Sequence, residues 1–103
     1  MIQYNVYFTL KDDFSEEEGI LKIHAFMQFL KSKQPVHNYR ILKISDKVNF
    51  DALPAFHVIV DYETSEHSNS AFVFIKNGEY KKEPHVSLMS MTKDFKISFS
   101  EDV

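Results

Sequence analysis

Five histidines and a single arginine are the side chains of this chain whose types could do chemistry: His24, His37, His57, His67, His85 and Arg40. Imidazole titrates close to neutral pH, so each histidine is a candidate acid, base or metal ligand. A metal centre needs two or three converging ligands, usually with carboxylate or cysteine support. No two histidines stand four apart on a helix, and the chain has no cysteine. His57 and Asp61 share one face of a strand but sit about 13 Å apart along it, too far to hold one ion. No metal site and no cofactor are expected.

His57 lies on a strand between apolar residues, where a neutral imidazole could serve as base or hydrogen-bond donor. Its alternative role is a satisfied, partly buried residue at an interface. His85 follows Pro84 at a helix start and is the second candidate for proton transfer, the alternative being a surface or capping residue. His24 sits near an apolar helical stripe and reads as packing. His37, at a strand start, and His67, in a first helical turn, read as solvated. Arg40 could grip a carboxylate or pair with a surface acid to little effect. Asn5, Tyr7 and Tyr39 could form a polar patch inside an apolar pocket or a tyrosine-rich interface. No serine sits in a nucleophile elbow, and no glycine-rich loop is present to cradle phosphate.

These residues must be positioned by regular elements, and one is clear. Ser15 caps a helix that runs to Lys33, with Glu18 placed for a capping box and Glu16–Glu18 at the positive end of the dipole. Ile20, Ile23, Met27 and Leu30 recur at helical spacing beside Phe26, and Pro35 stops the helix. Leu21 and Phe29 fall off this stripe and hint at a second packing surface. Ile2–Leu10 reads as a strand with Ile2, Tyr4, Val6, Phe8 and Leu10 on one face. Val36–Ser45 is a second strand of imperfect alternation, polar enough for a sheet edge. A connection spans Asp46–Pro54, with Leu53 held extended before the proline. Ala55–Tyr62 is the third strand, with Phe56, Val58, Val60 and Tyr62 on one face. Thr64 or Ser65 then caps a helix over Ser65–Lys76, which Asn77-Gly78 ends. After a polar linker, His85–Met91 reads as a short helix in preference to a strand, since methionine and leucine are good helix formers. Asp94–Glu101 alternates as a last half-buried strand.

Composition bounds the partners. At 103 residues the chain is expected to be one domain, residues 1–103. Net charge is −3 with no basic stripe, which argues against nucleic acid. No run reaches the roughly 20 apolar residues of a membrane span. Met1-Ile2-Gln3 opens no signal peptide, and a cytoplasmic protein is expected. Ten Phe and five Tyr with no Trp point either to a very aromatic core or to apolar surface reserved for a partner.

The element order β-α-β-β-α-β implies a four-stranded antiparallel sheet, strands 1 and 3 central, with helices on one face. It resembles the ferredoxin-like fold and, more narrowly, the dimeric α+β-barrel superfamily. The carriers are the long helix after strand 1, the second helix ending at Asn77-Gly78, the segment Glu83-Pro84-His85-Val86, and the aromatic strand Asp94–Phe99. The resemblance implies an α+β protomer that pairs as a homodimer through its open sheet face to form a barrel. Superfamily members include cofactor-independent monooxygenases, haem-degrading relatives, lactone isomerases and many uncharacterised proteins, so it implies no mechanism. Tyr7, Tyr39, Ile41 and Ile59 are expected on the open face, where an apolar surface would need a partner. The function expected is binding of a small apolar or aromatic molecule in a barrel pocket, lined by Asn5, Tyr7, Tyr39 and Arg40. The alternatives are a cofactor-independent monooxygenase or isomerase using His57 or His85, and a structural or regulatory dimer without ligand.

Overall fold

A computed structural model describes residues 1–45 and 54–103; the connection expected over Asp46–Pro54, Leu53 included, lies outside the described residues except for Pro54 itself. The elements are β1 (Ile2–Leu10), α1 (Glu16–Lys33), β2 (Asn38–Lys43), β3 (Phe56–Tyr62), α2 (Ser65–Lys76), a 3-10 turn (Glu79–Lys81), α3 (His85–Met91) and β4 (Thr92–Glu101). All strand pairs are antiparallel, in the order β2-β3-β1-β4. The two strands with the cleanest apolar alternation are the central ones. This is the ferredoxin-like arrangement.

Local chemistry sets the ends. The Ser15 hydroxyl accepts from the Glu18 N–H at 3.1 Å, and the Thr64 hydroxyl from the His67 N–H at 3.2 Å, each satisfying one free donor of a first turn. Gly78, at φ 116°, takes the left-handed conformation that ends α2. The strand expected over Val36–Ser45 is shorter, yet its ladder continues: the His37 N–H reaches Asp61 O at 2.9 Å and the Ile44 N–H reaches Ala55 O at 2.8 Å. β4 begins two residues earlier than expected, because Thr92 both ends α3 and opens the strand. Its register against β1 shifts between Tyr7 and Thr9, where Asp94 adopts φ 58°, a conformation aspartate tolerates in a bulge.

The core lies between helices and sheet. Phe8, Phe56, Val58, Val60 and Tyr62 face Ile23, Met27 and Leu30 of α1 and Ala71 of α2, all buried. Full burial of each large side chain contributes about 1.5–3 kcal/mol. Gly19 packs closely under the Leu10 side chain: a Cβ there would come within 2.5 Å of Leu10 Cδ1, so the leucine would have to shift. Leu21 is 63% exposed, whereas Phe29 is half-buried against Phe74, ring centroids 6.2 Å apart.

One expectation is corrected. Tyr39 and Ile41 do not lie on the open face. Tyr39 pairs with Val60 and Ile41 with Val58, and cross-strand partners share a face. Both therefore pack toward the helices. β2 is apolar in both phases, at Tyr39 and Ile41 and again at Leu42, so its own pattern does not choose between them; pairing with β3 does.

Candidate functional site

The sequence-derived candidates divide between the two sides of the sheet. On the open side, registers bring Asn5 of β1 beside Ile59 of β3 and Ser98 of β4, and Tyr7 beside His57 and Lys96. A hydrogen-bonded chain crosses these strands. The Ser100 hydroxyl donates to Gln3 Oε1 at 3.0 Å; Asn5 Nδ2 donates to Ser100 Oγ at 3.0 Å and to Ser98 O at 3.5 Å. A carbonyl can only accept, so the Asn5 amide oxygen faces His57, whose Nε2 stands 3.0 Å away and donates the proton. The His57 ring stacks on Tyr7 at 4.0 Å. Asn5 is only 8% exposed although no helix covers this face. Arg40 is exposed on the same face, on the row of Asn5 and Ile59.

Tyr39 is separate from this group. Its hydroxyl lies 3.0 Å from His24 Nδ1 on α1. His24 is exposed, not packed inside, because it lies beyond the edge of the core stripe.

The other side holds a cavity of about 260 Å³ between helices and sheet. Its walls include Phe26 and Met27 of α1, Ala71 and Phe72 of α2, His85 and Met89 of α3, and Phe95 and Ile97 of β4. This cavity is distinct from the pocket expected on the open barrel face and lies on the helix side of the sheet. No local pattern announces it, since Ile23, Met27 and Leu30 read equally well as solid core. The excess of phenylalanine was its one sequence signal.

Among the described residues, His85 is the one histidine that lines the cavity. Its ring meets Phe26 edge-on at 5.2 Å, and its Nδ1 is buried without a protein partner. Thr92 also lines the cavity, but its hydroxyl is already given to Leu88 O at 3.2 Å. Burial raises the Tyr4 phenol above its ordinary value and, with Tyr4 beside it, pushes Tyr62 up to about 12, so both lining phenols stay protonated donors.

Both central histidines are kept neutral. Burial lowers the pKa of His57, with the Arg40 charge second. Burial also lowers that of His85, opposed by a hydrogen bond with the Tyr80 backbone. The unfolded chain takes up these protons near the ordinary value of 6.5, the folded chain only at lower pH. Folding stability contributed by these groups is therefore present above about pH 6.5 and falls as pH drops below it. Thermal melts from pH 7.5 to 5.5 should show this decline, and a His57→Gln/His85→Gln variant should flatten it. An unchanged slope in the double variant would place the linkage elsewhere.

A third histidine group is shallow. His37 Nδ1 lies 3.2 Å from Glu63 Oε1, and both line a cleft with Pro35, Val36 and His67. His67, expected to be solvated, is half-buried with its Nδ1 shielded and unpartnered, because the first turn of α2 tucks against this cleft. Among the described residues, no three His, Asp or Glu side chains converge so as to hold a metal ion. No helix among them is long and apolar enough to cross a membrane.

A family model described as "Family of unknown function (DUF6614)" matches residues 1–101. No curated protein sequence matches the chain. Solved structures of the same fold are numerous. The Arabidopsis thaliana protein At3g17210 is 11% identical and superposes with a TM-score of 0.76, over 100% of this chain and 96% of that one. SnoaB from Streptomyces nogalater, described as a cofactor-independent oxygenase and solved as a mutant, is 10% identical, TM-score 0.68, over 98% and 91%. A Bacteroides fragilis protein described as dimeric, of unknown function and ferredoxin-like fold is 14% identical, TM-score 0.55, over 98% and 95%. At these identities the likeness is one of fold.

Proposed function

The chain belongs to this family of unknown function, and from its own geometry we propose that it binds a small, mainly apolar molecule in the helix–sheet cavity, as a homodimer paired through the open sheet face. The cavity carries the reading. A dry apolar cavity of about 150 Å³ suffices for benzene; this one, at about 260 Å³, has room for two fused rings. Pairing is supported by the uncovered open face, which carries Tyr7, Ile59 and Leu42 around the Asn5–His57 network, and by the dimeric description of the Bacteroides fragilis structure. We place this binding in the cytoplasm, a reducing compartment that suits a chain with no cysteine to cross-link. The test has two readouts. Light scattering should give a dimer mass, and 2-naphthol should raise the melting temperature by selective binding to the folded state. A monomer overturns the pairing; no thermal shift near the solubility limit of 2-naphthol overturns the pocket.

One observation favours a second reading, catalysis. Neutral His85 lines the cavity, and its imidazole supplies a base for an acidic C–H or O–H of a bound molecule. SnoaB, of like fold, is described as a cofactor-independent oxygenase. His57 faces the opposite side and is engaged by Asn5, so His85 carries the proton transfer in this reading. His85→Ala would then abolish turnover while leaving the dimer folded.

A further inference from the structure

β4 runs beyond the cover of the helices. Its helix-side residues Phe95, Ile97 and Phe99 are 39%, 58% and 56% exposed. Phe95 and Ile97 also line the cavity, as does Met89, 41% exposed. The cavity therefore opens between α3 and β4, directly onto this stripe. Phe99 continues it, its ring 5.2 Å from Tyr4 and 5.7 Å from Phe72, two further cavity residues. Alternate residues of a strand lie about 7 Å apart, so the stripe is about 13 Å long. The open face proposed for pairing is the opposite side of the sheet from this stripe.

Among the described residues, no lysine or arginine lines the cavity. A carboxylate or phosphate buried there would have no counter-charge. A neutral hydroxyl suits it better, since the polar side chains His85, Tyr4 and Tyr62 that line the cavity are kept uncharged by burial. We propose that the ligand is longer than the cavity: an alkyl-substituted phenol, its ring and hydroxyl inside beside His85 and its alkyl tail along Phe95, Ile97 and Phe99. This rests on the cavity reading above. The continuity of apolar surface from cavity wall to exposed strand selects such a molecule over a compact one.

Calorimetric titration of the full chain with phenol and its para-alkyl series, from ethyl to dodecyl, tests the proposal. Affinity should rise with each methylene that leaves water, by up to about fourfold, and level off once the tail has passed Phe99. Phe99→Thr, which keeps strand propensity, should lose the gain made by the longest tails and level off earlier. Binding of phenol with no gain along the series overturns the tail but leaves the cavity reading standing. No binding of any member overturns both. An identical rise in Phe99→Thr, or conversion of a wild-type dimer to monomers by that variant, overturns the proposal, the latter by assigning the stripe to a second copy.

Discussion

Replacing Ala71 by phenylalanine should raise the melting temperature of the free protein and abolish its binding of 2-naphthol. Ala71 is 1% exposed and lies in the cavity wall on α2. Elsewhere in a close-packed core such an enlargement forces neighbours apart at about 1–3 kcal/mol. Here the added ring projects into about 260 Å³ of free space. Burial of a full phenylalanine side chain contributes about 1.5–3 kcal/mol, reduced by the rotamer freedom lost. A net gain of about 1–2 kcal/mol corresponds to several degrees for a domain of this size. Ala71→Leu, with less added volume, should gain less and weaken 2-naphthol binding without abolishing it. Thermal melts with and without 2-naphthol read both effects. Loss of stability in both variants would show that the wall cannot accept volume, and the ligand site would then have to lie elsewhere.

Asn5→Ala should destabilise the fold by about 2 kcal/mol and release His57. The Asn5 amide bonds Ser98, Ser100 and His57 together, and each hydrogen bond lost contributes about 0.5–1.5 kcal/mol. Ser100 keeps Gln3 as a partner, so the network does not collapse entirely. The imidazole should then exchange between tautomers, visible in its nitrogen chemical shifts. Asn5→Asp gives the opposite electrostatic result. A carboxylate 3.0 Å from Nε2 favours the imidazolium, so the His57 pKa should rise, against the lowering that burial and Arg40 impose in the parent. An NMR titration that left His57 unchanged in both variants would remove Asn5 as the group that orients it.

Much of the fold is legible in the chain because it is written in local periods. The 3.6-residue recurrence of Ile20, Ile23, Met27 and Leu30 and the Ser15 cap define α1 without outside help. The alternation in Ile2–Leu10 and Phe56–Tyr62 names the strands that end up central, since a strand flanked on both sides buries one whole face. The helix over His85–Met91 is legible for a related reason: methionine and leucine lose little rotamer freedom in a helix.

The candidate site is legible only in part. Asn5, Tyr7, Arg40 and His57 do assemble on one face, because strand alternation carries them there. Tyr39 does not join them, since β2 is apolar in both phases and its partner β3 chooses between them. His85 lies across the sheet from His57, so the two histidines that look alike in sequence belong to different surfaces. By itself, then, the sequence determined the elements, their order and the side of each central strand that faces the helices, all properties of neighbouring residues. Only the tertiary structure decided the phase of β2, the tautomer of His57 and the existence of the cavity. Each of these depends on groups far apart in the chain: a cross-strand register, an amide fixed by a carbonyl of β4, and a volume left where three helices and a sheet fail to meet.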